Sequence, residues 1–161
     1  MAKTLLQLGE DMDKLSVLIG LRARELSKHV ARRVLQYLVR ATPADTSKAV
    51  SNWRVAVAGT SYGAEAIEPY FPGQGGSTKA ASAAEALQNA NEALKGAQPG
   101  KALAIINKVP YLQRLNEGWS AQAPAGFIEA AILVGKYAVK EYNFNQRLKQ
   151  DIKRGTVRSD G

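Results

Sequence analysis

The stretch TPADTSKAVSNW, Thr42 to Trp53, divides a helical periodicity from a strand periodicity. Upstream of it, Leu8, Met12, Leu15, Ile19, Ala23, Leu26, Val30, Val34 and Tyr37 recur in steps of three and four. Their mean step matches the ~3.6 residues of an α-helical turn, which predicts one straight helix over roughly the first forty residues with the stripe on one face. Arg24, Lys28 and Arg32 fall on the opposite face. Gly9 and Gly20 each weaken a helix by ~1 kcal/mol relative to Ala, so fraying or bending is expected before Gly20. Thr42-Pro43 stops the helix, because the residue before a proline is pushed toward extended geometry. Asp45 stands where an N-cap belongs, ahead of a short helix expected from Thr46 to Asn52. Trp53, Val55 and Val57 then alternate with Arg54, Ala56 and Ala58, the pattern of a strand with one buried face.

Working outward, residues 60–78 hold Gly63, Pro69, Pro72, Gly73, Gly75 and Gly76 and read as a long mobile loop. Lys79 to Lys95 is alanine-rich and helical, with Ala80, Ala83, Leu87, Ala90 and Leu94 on its apolar stripe. Ser82 and Glu85 offer a capping box if that helix starts late. Lys101 to Lys108 is the second strand pattern, with Leu103 and Ile105 inward and Ile106 a further inward candidate. Pro110 to Asn116 reads as a short helix. Pro124 suits the first turn of a final helix reaching Tyr142, on which Phe127, Ala131, Val134 and Ala138 share a face. Residues 143–161 read as a basic, partly flexible tail. The expected fold class is α+β over residues 1–142: a long N-terminal helix and a C-terminal helix packed on a small, mainly antiparallel sheet, with a helical insertion. Two strands alone do not make a stable sheet. Either Tyr62 to Ile67 adds a third, or subunits share a sheet.

Composition narrows the function classes. A chain of 161 residues with 45% hydrophobic content has the size and apolar content of one folded domain. It has no cysteine, which excludes disulfides, thiolate chemistry and cysteine-based zinc frameworks. No apolar run approaches the ~20 residues that span a bilayer, so no membrane partner is expected. The N-terminus MAKTLLQLGEDMDK is acidic too early for a signal peptide, and a soluble protein outside the secretory route is expected. A net charge of +8 favours anionic partners.

Catalysis finds little to work with. PGQGGSTK, Pro72 to Lys79, places Ser77 and Thr78 between its last glycine and its lysine, whereas a P-loop needs the lysine directly after the glycine. His29 is the single histidine and is expected on an exposed helix flank. Asp11 with Asp13, and Glu65 with Glu68, read as solvated surface acids. No catalytic residue, cofactor or metal site is expected, and the chain reads as a non-enzyme. Arg24, Lys28 and Arg32 form a basic surface for DNA phosphates or an acidic partner, or a solvated face. Base readout is disfavoured because the run lacks Asn and Gln at base-reading positions. Trp53 reads as core. Trp119 follows Gly118 among polar residues and reads equally as an interface anchor or as core, with Tyr111, Arg114 and Gln122 as interface companions.

Two segments carry a family resemblance. Thr42-Pro43-Ala44-Asp45-Thr46-Ser47 with Trp53 downstream resembles the pattern T-P-x-D-T-G followed by Trp. Asn107, Pro110-Tyr111, Leu115-Asn116-Glu117-Gly118 and then Gln122-Ala123-Pro124-Ala125-Gly126-Phe127 resemble N-x-x-P-Y, a short helix ending in glycine, and Q-A-P-x-G before a hydrophobic helix. These patterns are similar to those of the tail-completion or tail-terminator proteins, also called head–tail joining proteins, in the neck of long-tailed bacteriophages. The likeness runs in order from about Leu26 to Tyr142, and Ser47 departs from it where glycine is frequent. It implies a homo-oligomeric ring, six-fold in the family, at the head-proximal end of the tail tube. Implied partners are the tube protein, the head-side connector or stopper, and non-specific contact with genomic DNA in the lumen. The implied location is the virion neck, after synthesis in the bacterial host cytoplasm. A head-side adaptor or stopper is the alternative within the neck, and a basic DNA-binding accessory protein is the alternative of another class.

Overall fold

The structure is a computed structural model that describes residues 4–59, 65–123 and 125–155. It is an α+β fold in the order α1 (Leu5–Ala41), α2 (Lys48–Ser51), β1 (Arg54–Val57), α3 (Lys79–Lys95), β2 (Leu103–Ile106), α4 (Leu112–Asn116), α5 (Phe127–Tyr142) and α6 (Phe144–Arg154). α1 runs unbroken for 37 residues, about 55 Å, through both Gly9 and Gly20. The Thr4 hydroxyl and the Gln7 side chain form a reciprocal capping box at its start. The fraying expected before Gly20 does not occur. Gly20 faces the Pro99 turn, where an added Cβ would make an ordinary contact at 3.4 Å with Pro99 Cβ.

β1 and β2 pair antiparallel, Val55 opposite Ile105 and Val57 opposite Leu103. Among the described residues the sheet has these two strands alone. Most of the candidate third strand, residues 60–64, lies outside the described residues, and Glu65 to Ile67 are not in a strand. Val55, Ala56 and Val57 are all buried, so β1 is covered on both faces and the one-sided expectation is corrected. Leu35, Val39, Val50 and Leu94 are almost wholly enclosed. Burying side chains of this size contributes about 1.5–3 kcal/mol each. They join Trp53, Phe127 and Ala131 in one core between α1, α3, the sheet and α5.

The stripe read from the sequence is not the best-buried side of α1. The buried residues are Leu18, Ala31, Leu35, Leu38 and Val39, while Leu26, Val30 and Val34 are half-covered. α1 is gripped from two sides, by α5 and by α3 with the sheet, so its buried arc is displaced from the stripe. On α5, Gly135 takes the inward place beside Phe127, Ala131, Ala138 and Tyr142, and Val134 is half-buried.

Residues 144–154 correct the expectation of a tail. They form α6, which starts at Asn143 in the left-handed region (φ 52°) and packs back on α1. The Arg22 guanidinium holds the Asp151 carboxylate in a two-pronged pair, with Nη2 donating to Oδ1 at 2.7 Å. That guanidinium keeps the Asp151 carboxyl below its ordinary range against the opposing pull of burial. Arg147 also lies 4.6 Å over the Tyr142 ring. The last basic position, Arg158, is outside the described residues.

Candidate functional site

The two sequence motifs fold against each other. Thr42 to Asn52 wraps the end of α1, and Asn107 to Ala123 crosses it from the other strand. The Asn107 amide donates to Ala49 O at 2.8 Å while its oxygen accepts from Val109 N at 3.1 Å. Gln122 Oε1 accepts from Ala44 N at 2.9 Å. Trp53 is buried, and Pro43 is buried beside it at the end of α1. A groove of about 430 Å³ follows the seam, lined by Asp45, Lys48, Tyr111, Ser120 and Gln122 among others.

Asp45 does not cap the short helix. α2 begins at Lys48, and its N-cap is Ser47, which stands in the left-handed region at φ 65° without a side-chain cap bond. Left-handed geometry disfavours a side chain, which gives a physical reason for glycine at this motif position. Ser47 is fixed there by a 3.0 Å hydrogen bond between its hydroxyl and that of Thr78. Asp45 faces the glycine loop instead: Gly75 N donates to its carboxylate at 2.7 Å and Gly76 N to its carbonyl at 3.0 Å. Gly76 sits at φ 77° with no room for a Cβ, which would lie 2.7 Å from Ala44 O. The described part of the loop is tied down rather than mobile. Further ties are Lys48 to Glu68, Asn52 to Ile67 and Tyr70 N to the Ser51 hydroxyl. Gly76 serves the close approach to the first motif, while Gly73 lies against Ser77 and Thr78.

The expected capping box of α3 is also absent. The helix starts at Lys79 without a side-chain cap, and the Ser82 hydroxyl is buried with no hydrogen-bond partner.

The second motif builds an exposed platform. Gly118 adopts φ 87° and lies against Ala125, whose Cβ would be 3.1 Å from an added Cβ. Asn116 anchors the return of the chain: its Oδ1 accepts from Ile128 N at 2.8 Å, its amide donates to Glu129, and its carbonyl accepts from Gly126 N at 2.7 Å. This bracing role of Asn116 was not singled out by the sequence reading, although the residue lies inside the motif. Pro110 is exposed at the turn into α4, and Pro124 lies outside the described residues. Trp119 is 74% exposed, which removes the core alternative, and the Arg114 guanidinium lies 5.5 Å over its ring. Tyr111 lines the seam groove together with Gln122. Burial pushes the Tyr111 phenol above its ordinary range, and Lys48 partly opposes this. Tyr111, Gln122 and the first motif therefore share one groove, and Arg114 and Trp119 stand on the same short segment beside it.

Neither a protein-family model, nor a curated protein, nor a solved structure matches the chain.

The basic stripe is not a row of free cations. Arg24 and Lys28 both contact Glu25, at 3.2 Å each, and Arg32 Nε donates to Asn91 of α3 at 3.0 Å. Burial raises the Glu25 carboxyl, but the Lys28 and Arg24 charges outweigh it and hold the group below its ordinary range. His29 is less open than expected. Its Nε2 lies 3.4 Å from Glu141 Oε2, and its ring packs 5.5 Å from that of Tyr142. Among the described residues no three His, Cys, Asp or Glu side chains converge as a metal site, and no helix is long and apolar enough to cross a membrane.

Proposed function

We propose that this chain is a structural protein of the neck of a long-tailed phage virion, a tail terminator. Copies of it form a ring on the head-proximal end of the tail tube, end the tube and join it to the head-side connector. The observation that carries the reading is the seam. Two segments that resemble the motifs of one family, distant in sequence, lock together through Gln122 to Ala44 and Asn107 to Ala49. Their glycine-type positions fall where backbone geometry calls for glycine, at Ser47 (φ 65°) and Gly118 (φ 87°). The locked motifs carry no assembled acid–base set, and they leave Trp119 on the surface with Arg114 across its face. An exposed tryptophan flanked by arginine is the composition of an interface anchor. The ring serves by adhesion rather than chemistry, with no cofactor and no enzymatic step.

The alternatives predict different behaviour. A head-side adaptor binds the connector without needing the tube. A DNA-binding accessory protein shifts duplex DNA with steep salt dependence. The pairing of Arg24 and Lys28 with Glu25 favours the neck reading over the DNA one. The 161-residue protein mixed with tail tubes decides between them: rings capping tubes by negative-stain microscopy support the terminator. A chain that stays monomeric with tubes and binds duplex DNA tightly ends it.

A further inference from the structure

We propose that the outward face of α6, which carries Lys149 and Lys153 with Arg154 at its flank, contacts the phosphate backbone of duplex DNA. In 11 residues α6 holds Arg147, Lys149, Lys153 and Arg154 against a single acid, Asp151. Phe144, Leu148 and Asp151 are spaced by four and three and so share one side of the helix. That side is turned to the body: Asp151 is buried, and Phe144 and Leu148 are half-buried. Lys149 and Lys153, four apart, stand together on the opposite side, and both are exposed. Among the described residues no carboxylate is in ion-pair contact with either. The one acid of the helix therefore points inward, onto Arg22, and the outward face is left positive.

The flanks fit the same reading. Arg154 lines a groove of about 360 Å³ with Arg22 and Arg24 of α1. The carboxylates there are already engaged, Asp151 by Arg22 and Glu25 by Arg24 and Lys28. On the other flank, beside Ile152, Lys14 and Asp11 balance each other in charge. The chemistry of the outward face selects the partner. It offers lysines and the amides of Asn145 and Gln146, the groups that meet phosphate oxygens. An anionic membrane needs an apolar helix face to insert, and Phe144 and Leu148 are turned to the body instead. An acidic protein partner would call for aromatic or aliphatic anchors, since interface cores are depleted of lysine. A single strand would call for aromatic side chains on which bases stack, and this face has none. Lysine acts as a point charge, so the contact is independent of base sequence. The assignment stands apart from the ring reading and does not depend on it.

The test measures binding of the 161-residue chain to a labelled duplex of mixed sequence by fluorescence anisotropy, over a series of salt concentrations. Three phosphate contacts make affinity fall by about 40-fold between about 50 and 200 mM salt. Lys149→Gln, Lys153→Gln and Arg154→Gln together are expected to lower the affinity by about tenfold or more at low salt. The slope of log affinity against log salt should shrink by about one for each cation removed. The control is Lys101→Gln, Lys108→Gln and Lys136→Gln, exposed positions elsewhere with the same change in net charge, and it should retain most of the binding. Equal losses in the two variants reduce the effect to net charge and overturn the assignment. So does a wild type that ignores the duplex at low salt, or one that prefers phosphatidylserine vesicles to it. Lys149→Glu covers the case in which the triple variant disturbs α6: its melting temperature should match wild type while its affinity falls several-fold, and unchanged affinity overturns the assignment. Rings on tail tubes without binding to the duplex sink this contact and leave the neck reading standing. Tight duplex binding through α6 by a chain that stays monomeric with tubes does the reverse.

Discussion

The Trp53 indole donates to the Thr42 hydroxyl at 2.8 Å, and that hydroxyl donates onward to Leu38 O at 2.6 Å. The first and last residues of the first motif are thus bonded to each other and to the final turn of α1. Both side chains are buried, so no water can stand in for either partner.

Thr42→Val keeps the shape of the side chain and removes both bonds. It leaves a buried indole N–H without an acceptor, and a loss of about 1–3 kcal/mol is expected in urea denaturation. Trp53→Phe is expected to cost less in the Thr42→Val background than in the wild type, because the orphaned donor is then gone. Strict additivity of the two changes would show that the bond contributes nothing.

Asp151→Asn tests whether Arg22 docks α6. Asp151 has its carboxyl pKa held down in the folded state, so its contribution is present above the unfolded value of about 3.9 and is lost as the pH falls through the lower folded value. Arg22 is shifted upward and stays charged throughout that window. At neutral pH the variant is expected to lose about 1.5–3 kcal/mol, the range for hydrogen bonds to charged groups. Melting curves from neutral pH into acid should show wild type and variant converging below about pH 4.

Gly135→Leu probes the contact of α5 with α1 at Val34 and Val30. Even an added Cβ at this buried position would lie 3.1 Å from Val34 Cγ2 and 3.7 Å from Val30 Cγ1. A branched side chain forces the two helices apart, and a destabilisation of about 1–3 kcal/mol is expected despite the better helix propensity of leucine. Chemical denaturation measures it, and an unchanged midpoint would mean that the helices have room to move.

Trp119→Ala is expected to leave the melting temperature within a few degrees of wild type, because the side chain is 74% exposed. Ring formation on tail tubes, counted by negative-stain microscopy, should fall sharply. Loss of the fold instead would return the residue to a structural role.

Local signals along the chain were legible. The period of α1, the stop at Thr42-Pro43, both strands, α3 and the body of α5 follow from side-chain spacing and turn chemistry, which act between near neighbours, although α5 starts at Phe127 rather than with Pro124 in its first turn. The position of Trp53 in the core also followed from its setting. Asp45 as an N-cap did not hold, because Gly75 and Gly76 compete for its oxygens from thirty residues away. The polar run after Tyr142 concealed α6, whose docking depends on Arg22, 129 residues from Asp151.

The sequence by itself determined the type and approximate place of α1, α3, α5 and the two strands, since those preferences reside in a few consecutive residues, while α6 and the start of α2 were not marked in it. Only the tertiary structure decided which side of α1 is covered, that Ser47 is held left-handed, that α6 folds back, and that Trp119 faces outward. Each of these depends on which distant surfaces meet, and burial is a property of the pair of surfaces rather than of either one.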